Sequence, residues 1–256
     1  MPMDCAYSVA GSGPALFMIH GIGARRATFD GMVAGLKDRF TCITYDLRGH
    51  GLSPLPDGRF GLDDLVDDLE GLRIRLGIDR AHFAGHSLGG MIGPRYALRF
   101  PDRVLSLGLW STAAFRTEDD SAKVRAVVAA MREKGIGPVL DTLTARWFTD
   151  AFCAARPDVI DWRKRQVMDT DAGVFLNVFD IYAETEMAPW LHQVTAPAQI
   201  ITGELDGGCN PRLNAEINKA LPGSELVILD GLKHAIFIEA TDRVLPPVRR
   251  FLLAQG

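Results

Sequence analysis

Six short apolar runs recur along the chain, and each stops at a glycine, serine or aspartate. They are "ALFMIHG" (15–21), "FTCITYD" (40–46), "AHFAGHS" (81–87), "VLSLGLWS" (104–111), "AQIITGELD" (198–206) and "SELVILDG" (224–231). Runs this short and this apolar are what strands buried on both faces of a parallel sheet require. Helical periods lie between them. Leu62, Leu65, Val66, Leu69, Leu72 and Leu76 recur at three- and four-residue spacing and share one helix face, and Leu88, Met91, Ile92, Tyr96 and Phe100 do the same behind the third run. This alternation predicts an α/β fold, with a mostly parallel central sheet flanked by helices.

One stretch breaks the alternation. Residues 113–190 carry helical periods, such as Val124, Val127, Val128 and Met131, but no strand pattern. Gly135, Gly137, Pro138 and Pro157 are expected to interrupt those helices. The expected division is a core of residues 1–112 and 191–256, with 113–190 inserted as a helical lid. The 256 residues suffice for one large buried core, and 47% apolar with 23% charged residues is ordinary for a soluble globular protein.

A net charge of −4 without a dense Lys/Arg block argues against nucleic acid or an anionic membrane as partner. "PALFMI" (14–19) is too short to span a bilayer and lacks the flanks of a signal peptide, so a cytoplasmic location is expected. Cys5, Cys42, Cys153 and Cys209 show no C-x-x-C spacing and are expected to be reduced, with no metal site. No G-x-G-x-x-G follows the first run, so no dinucleotide cofactor is expected. A small-molecule substrate is the remaining partner class; the sequence leaves the oligomeric state open.

Gly85, Ser87 and Gly89 form G-x-S-x-G where a buried run ends and a helical period begins. That strand–turn–helix context lifts a serine hydroxyl above the sheet edge and sets it beside a helix N-terminus, where an oxyanion is stabilised. A serine hydroxyl needs a base, and the base an orienting acid. His234, in a loop after the last run, is the candidate base. Asp206, at the end of the fifth run and followed by two glycines, is the candidate acid; Asp46 also ends an apolar run. The chain order Ser87, Asp206, His234 is that of the nucleophile-elbow hydrolases. The oxyanion hole is expected from the backbone N–H of Leu88 and of Ile22, with Gly23 the alternative to Ile22. His20 is expected to shape its turn, and Asp46 and Arg48 to fix a turn and a salt bridge nearby.

"HGIG", "YDLRGHGLS", "GHSLGG", "GELDGGCNP" and "KHAIFIEATDRV" together resemble the α/β-hydrolase fold family, in order and across nearly the whole chain. Within it, "GHSLGGMIGPRYALRFPDRV" and residues 145–160 are similar to the 3-oxoadipate enol-lactonase group. The resemblance implies a single-domain serine hydrolase without cofactor that opens an enol lactone in aromatic-acid breakdown. The chain departs from that group at His86, in the "GCNP" ending, and at Pro94, which removes a helical bond. Other readings of the same triad are a meta-cleavage C–C hydrolase and a cofactor-free haloperoxidase or perhydrolase-like esterase. A reading of another class is a non-catalytic receptor on this fold. A haloalkane dehalogenase would need a carboxylate at Ser87. In the insertion, Trp147 and Arg146 are the candidate substrate-binding residues, an aromatic wall beside a guanidinium that can pair a carboxylate. Arg125, Arg163 and Arg165 are alternative cations. The plainer alternative has Trp147 and Phe148 anchoring the insertion and Arg146 facing solvent.

Overall fold

All six apolar runs become strands, and a seventh strand precedes them. In the computed structural model, which describes residues 1–255, the strands are β1 (Tyr7–Ala10), β2 (Ala15–Ile19), β3 (Thr41–Tyr45), β4 (Ala81–His86), β5 (Val104–Trp110), β6 (Ala198–Gly203) and β7 (Glu225–Leu229). They form one sheet in the order β1-β3-β2-β4-β5-β6-β7. β1 runs antiparallel to β3, and the remaining pairings are parallel. β1 is missing from the sequence reading because most of it is exposed: an edge strand facing solvent carries no apolar run. The strands also end earlier than the runs do. The last residues of the runs, including His20, Asp46, Ser87 and Asp206, lie in loops at the carboxyl edge of the sheet, where open α/β sheets bind ligands.

Helices α1 (Asp30–Leu36), α2 (Leu62–Arg75) and α3 (Gly89–Arg99) follow β2, β3 and β4. Between β5 and β6 come α4 (Glu118–Lys134), α5 (Ile136–Trp147), α6 (Asp150–Ala155), α7 (Pro157–Met168), α8 (Ala172–Glu184) and α9 (Ala188–Leu191). α10 (Pro211–Ala220) joins β6 to β7, and α11 (Ile236–Glu239) and α12 (Thr241–Ala254) close the chain. Alternation along β2 splits the core into two layers. Phe17 and Ile19 pack with Leu65, Leu69 and Leu72 of α2 and with α3. Leu16 and Met18 face the other way, onto Met32 and Leu36 of α1 and Val244 and Val248 of α12. Each such side chain contributes about 1.5–3 kcal/mol by leaving water.

The breaks inside residues 113–190 differ from expectation. Only Gly135, at φ 84°, separates α4 from α5. Gly137 and Pro138 lie in the first turn of α5, where a backbone N–H has no helical partner to lose, and Pro157 opens α7 rather than breaking it. Pro94 sits inside α3, which nevertheless runs on to Arg99. Side chains tie this helical stretch to the core: Asn177 of α8 accepts from the Phe60 N–H (3.3 Å) and donates to the Phe60 carbonyl (2.8 Å). Among the described residues, no helix is long and apolar enough to cross a membrane.

Candidate active site

β4 is buried along its whole length, so the chain must leave it abruptly to begin α3. It does so at Ser87, which takes a left-handed φ of 56°. That conformation costs an L-residue about 1–2 kcal/mol and is held here by neighbours. The Ser87 N–H donates to the Trp110 carbonyl (2.9 Å), and the Ser87 carbonyl accepts from the Thr112 hydroxyl (2.8 Å) and the Gly90 N–H (2.9 Å). Both flanking glycines are sterically required. A Cβ at Gly85 would overlap the Gly89 carbonyl, and one at Gly89 would overlap the Ile19 carbonyl.

Asp206 follows β6 and is 2% exposed. One of its oxygens accepts from the N–H groups of Gly208 (3.0 Å) and Cys209 (2.8 Å), and the other from Nδ1 of His234 (2.7 Å). Burial alone would push the Asp206 carboxyl up; the His234 ring and the two amides outweigh it and hold it below the ordinary range. Burial alone would push His234 down; the Asp206 carboxylate outweighs that and raises it. The loop carrying His234 is fixed from two directions. Its carbonyl accepts from Nε2 of His86 (3.0 Å), and the next N–H, of Ala235, donates to the Trp147 carbonyl (2.8 Å). Burial, reinforced by His234, lowers His86 to about 3, so it serves as a neutral donor. This anchoring role of His86 had no signal in the sequence, because the partners are 148 residues apart.

Asp46 is engaged elsewhere. Its carboxylate accepts from the N–H groups of Arg26 (2.8 Å) and Leu52 (3.1 Å) and pairs with the Arg26 guanidinium. Arg48 makes a bidentate pair with Asp68, both contacts 2.7 Å. The two residues thus hold the turn of residues 46–53, which in turn braces the turn after β2. His20 donates from Nδ1 to the Gly21 carbonyl (2.8 Å) and accepts the Leu47 N–H at Nε2 (2.9 Å). His50 donates from Nδ1 to the Arg48 carbonyl (3.0 Å) and accepts the Gly23 N–H at Nε2 (3.2 Å). Burial keeps both rings neutral, lowering His20 well below its ordinary value and His50 to about 4. Gly23 N–H is therefore engaged. The N–H groups of Ile22 and Leu88 donate to no protein acceptor among the described residues.

A cavity of about 360 Å³ opens at the carboxyl edge of the sheet; Ser87, His234, Asp206 and Ile22 line it from the core. Trp147 and Arg146 line it from α5, Arg163 from α7 and Lys123 from α4. Arg146 and Lys123 are exposed and have no carboxylate partner among the described residues. Trp147 is half-buried, with the Arg163 guanidinium 4.6 Å from its ring centre. Arg125 pairs with Glu118, and neither it nor Arg165 lines the cavity. Phe148 is fully buried beside Phe152 and anchors α5. Asp206, Cys209 and His234 offer oxygen, sulfur and nitrogen donors within 4.8 Å of one another. Burial, then Asp206, raises the Cys209 thiol, which disfavours the thiolate that a metal needs, and the other two groups are spent on each other.

Residues 14–241 match the family model for the alpha/beta hydrolase fold. The chain is 31% identical over 193 residues to 3-oxoadipate enol-lactonase 2 of Acinetobacter baylyi, a match covering 75% of this chain and 72% of that protein. It is 28% identical over 252 residues to 2-(acetamidomethylene)succinate hydrolase of Mesorhizobium japonicum, covering 94% and 89%. Among solved structures, the enol-lactonase from Burkholderia xenovorans LB400 is similar with a TM-score of 0.89 at 27% identity, over 97% of this chain and 96% of that one.

Proposed function

The chain belongs to the α/β-hydrolase fold family, and on that premise we propose that it is a serine hydrolase that opens a small carboxylated ester or lactone through an acyl-enzyme. One observation carries the reading. Ser87, lifted on a left-handed turn, lines the same cavity as His234, whose Nδ1 is fixed 2.7 Å from the buried Asp206.

In this reading Ser87 Oγ attacks the substrate carbonyl carbon while His234 Nε2 takes its proton. The Nδ1–H of His234 stays on Asp206, whose charge favours the imidazolium. The developing oxyanion accepts from Ile22 N–H in the turn after β2 and from Leu88 N–H at the N-terminus of α3. Collapse expels the alkoxide or enolate, which takes the proton from His234. Water then attacks the acyl-enzyme with His234 again as base, releasing the acid and Ser87. The unpaired cations Arg146 and Lys123 at the mouth, with Trp147 as a wall, suit an acidic substrate. Two relatives carry names that denote acidic substrates, 3-oxoadipate enol-lactone and a substituted succinate. The cavity volume, near the lower end for ligand sites, favours a small one. Residues 113–190 act as the lid over it.

Ser87→Ala should lower kcat on a carboxylated lactone by about 10⁴ or more, leaving only oxyanion-hole and binding effects. A fluorophosphonate should label the wild type once, at Ser87, and leave the variant unlabelled. Near-normal turnover by the variant would refute the mechanism. A wild-type chain that neither labels nor hydrolyses would be a receptor on this fold.

A further inference from the structure

Arg163 is a buried guanidinium, 6% exposed, with no carboxylate partner among the described residues. Its hydrogen bonds go to backbone of the turn after β2. Nη2 donates to the Ile22 carbonyl (2.9 Å) and Nη1 to the Gly23 carbonyl (2.5 Å). Burial, and to a lesser degree Arg25, lowers it to about 9, so it remains a cation at neutral pH. A charged donor makes the stronger kind of bond to a carbonyl.

These two carbonyls belong to the turn that presents Ile22 N–H. The turn is closed by the Ala24 N–H and the Gly21 carbonyl at 3.2 Å, toward the long end for such a bond. The Ile22–Gly23 peptide plane is gripped at both ends, its carbonyl by Arg163 and its N–H by His50 at 3.2 Å. Gly23 itself is left-handed, at φ 59°, where a glycine rotates at little cost. A side chain there would run into Phe175 of α8 and Val167 of α7, so the turn is also packed against the insertion. The Arg163 guanidinium rests on Trp147, and the Trp147 carbonyl takes the N–H next to His234. One cluster from α5 and α7 thus touches both the oxyanion turn and the base loop.

We propose that Arg163 is a positioning residue for the oxyanion hole: it clamps the Ile22 and Gly23 carbonyls so that Ile22 N–H is aimed at the reacting oxygen. This rests on the serine-hydrolase reading above. Each terminal nitrogen of Arg163 already gives one N–H to backbone, which holds the guanidinium against the turn, so the substrate's carboxylate is assigned instead to Arg146 and Lys123. Arg146 and Lys123 are the free cations of the cavity.

The test is steady-state kinetics of Arg163→Met and Arg163→Lys on a carboxylated lactone and a matched neutral ester. Arg163→Met should lower kcat by about 10²-fold on both substrates, as small misplacements of catalytic groups do, with KM little changed. Arg163→Lys should recover part of the loss. Affinity for an arylboronic acid, whose tetrahedral adduct places an oxygen in the hole, should fall in parallel with kcat, while inhibition by the product acid stays constant. A loss confined to the acidic substrate, or expressed in KM, would make Arg163 a substrate clamp and overturn the proposal. Wild-type kcat in Arg163→Met would overturn it too. If Arg163→Met does not fold, Arg163→Lys with the boronate comparison decides. Failure of the triad reading shows separately, as turnover retained by Ser87→Ala.

Discussion

Asp206 and Ile22 line the same cavity as Ser87 and are held in place by different means. The Asp206 carboxylate is oriented by amides two and three residues along its own chain, those of Gly208 and Cys209. The turn of Ile22 depends on side chains from far away, His50 at 27 residues and Arg163 at 140 and 141. A carboxylate needs only a tight turn behind a strand. An oxyanion donor must be a bare N–H, and a bare N–H cannot hold itself in place. The proposed acid is therefore held locally, whereas the proposed oxyanion donor depends on distant side chains, one of them from α7.

The largest effect that separates the two sides is expected from Asp206→Asn. The amide keeps the geometry but favours the wrong tautomer of His234, so kcat should fall by about 10⁴. The same variant tests the electrostatics. In the wild type, Asp206 raises His234, so the acid limb of kcat/KM should lie above the ordinary histidine value of about 6.5; in Asp206→Asn it should slip back toward or below it. The sign for stability is opposite. A histidine raised on folding contributes stability in full below about 6.5 and loses it as pH rises through the raised value. The chain should gain activity and lose this contribution over the same window. Asp206, held low by the same pair, adds its loss only below the ordinary carboxylate range. Acid limbs at or below 6.5 in both proteins would remove Asp206 from its role.

An intermediate effect is expected from the Arg163 variants, which address the oxyanion side alone. The smallest is expected at the mouth, which belongs to neither side. Arg146 is exposed, so its pairing with a substrate carboxylate is screened. Arg146→Ala should narrow the preference for a carboxylated lactone over its neutral ester by only about 0.2–1 kcal/mol in kcat/KM. No preference in the wild type would move the substrate class to neutral esters.

What the sequence disclosed follows the same division. Strands buried on both faces, the serine turn and the strand-end positions of Asp206 and His234 all have local signatures: apolar runs, paired glycines, a helical period. Asp46 and Asp206 look alike in such a local pattern; chain order favours Asp206, and the Arg26 pairing of one and the His234 contact of the other agree with it. Arg163 is one of several cations in the insertion; nothing nearby marks it as buried, because its partners are two backbone carbonyls near the other end of the chain. β1 and the continuity of α5 through Gly137 and Pro138 were illegible for a simpler reason. An exposed edge strand has no apolar run, and a helix's first turn tolerates residues that would break its middle.

The helical stretch between β5 and β6 also sets an order in time. β5 and β6 are direct neighbours in the sheet, with Leu107–Trp110 paired to Ala198–Ile201, yet the whole stretch 111–197 separates them. During synthesis β1 to β5 can assemble as they emerge, while the free edge of β5 waits for a partner still to be made. At 5–20 residues per second that wait is about 4–17 s. For that interval the nascent chain presents a central strand as an open edge, the form most prone to pairing with another copy. A fragment ending at residue 112 should accordingly partition to the insoluble fraction, and adding residues 113–256 in the same chain should rescue it. A soluble, monomeric fragment would mean that the β5 edge is protected before β6 arrives.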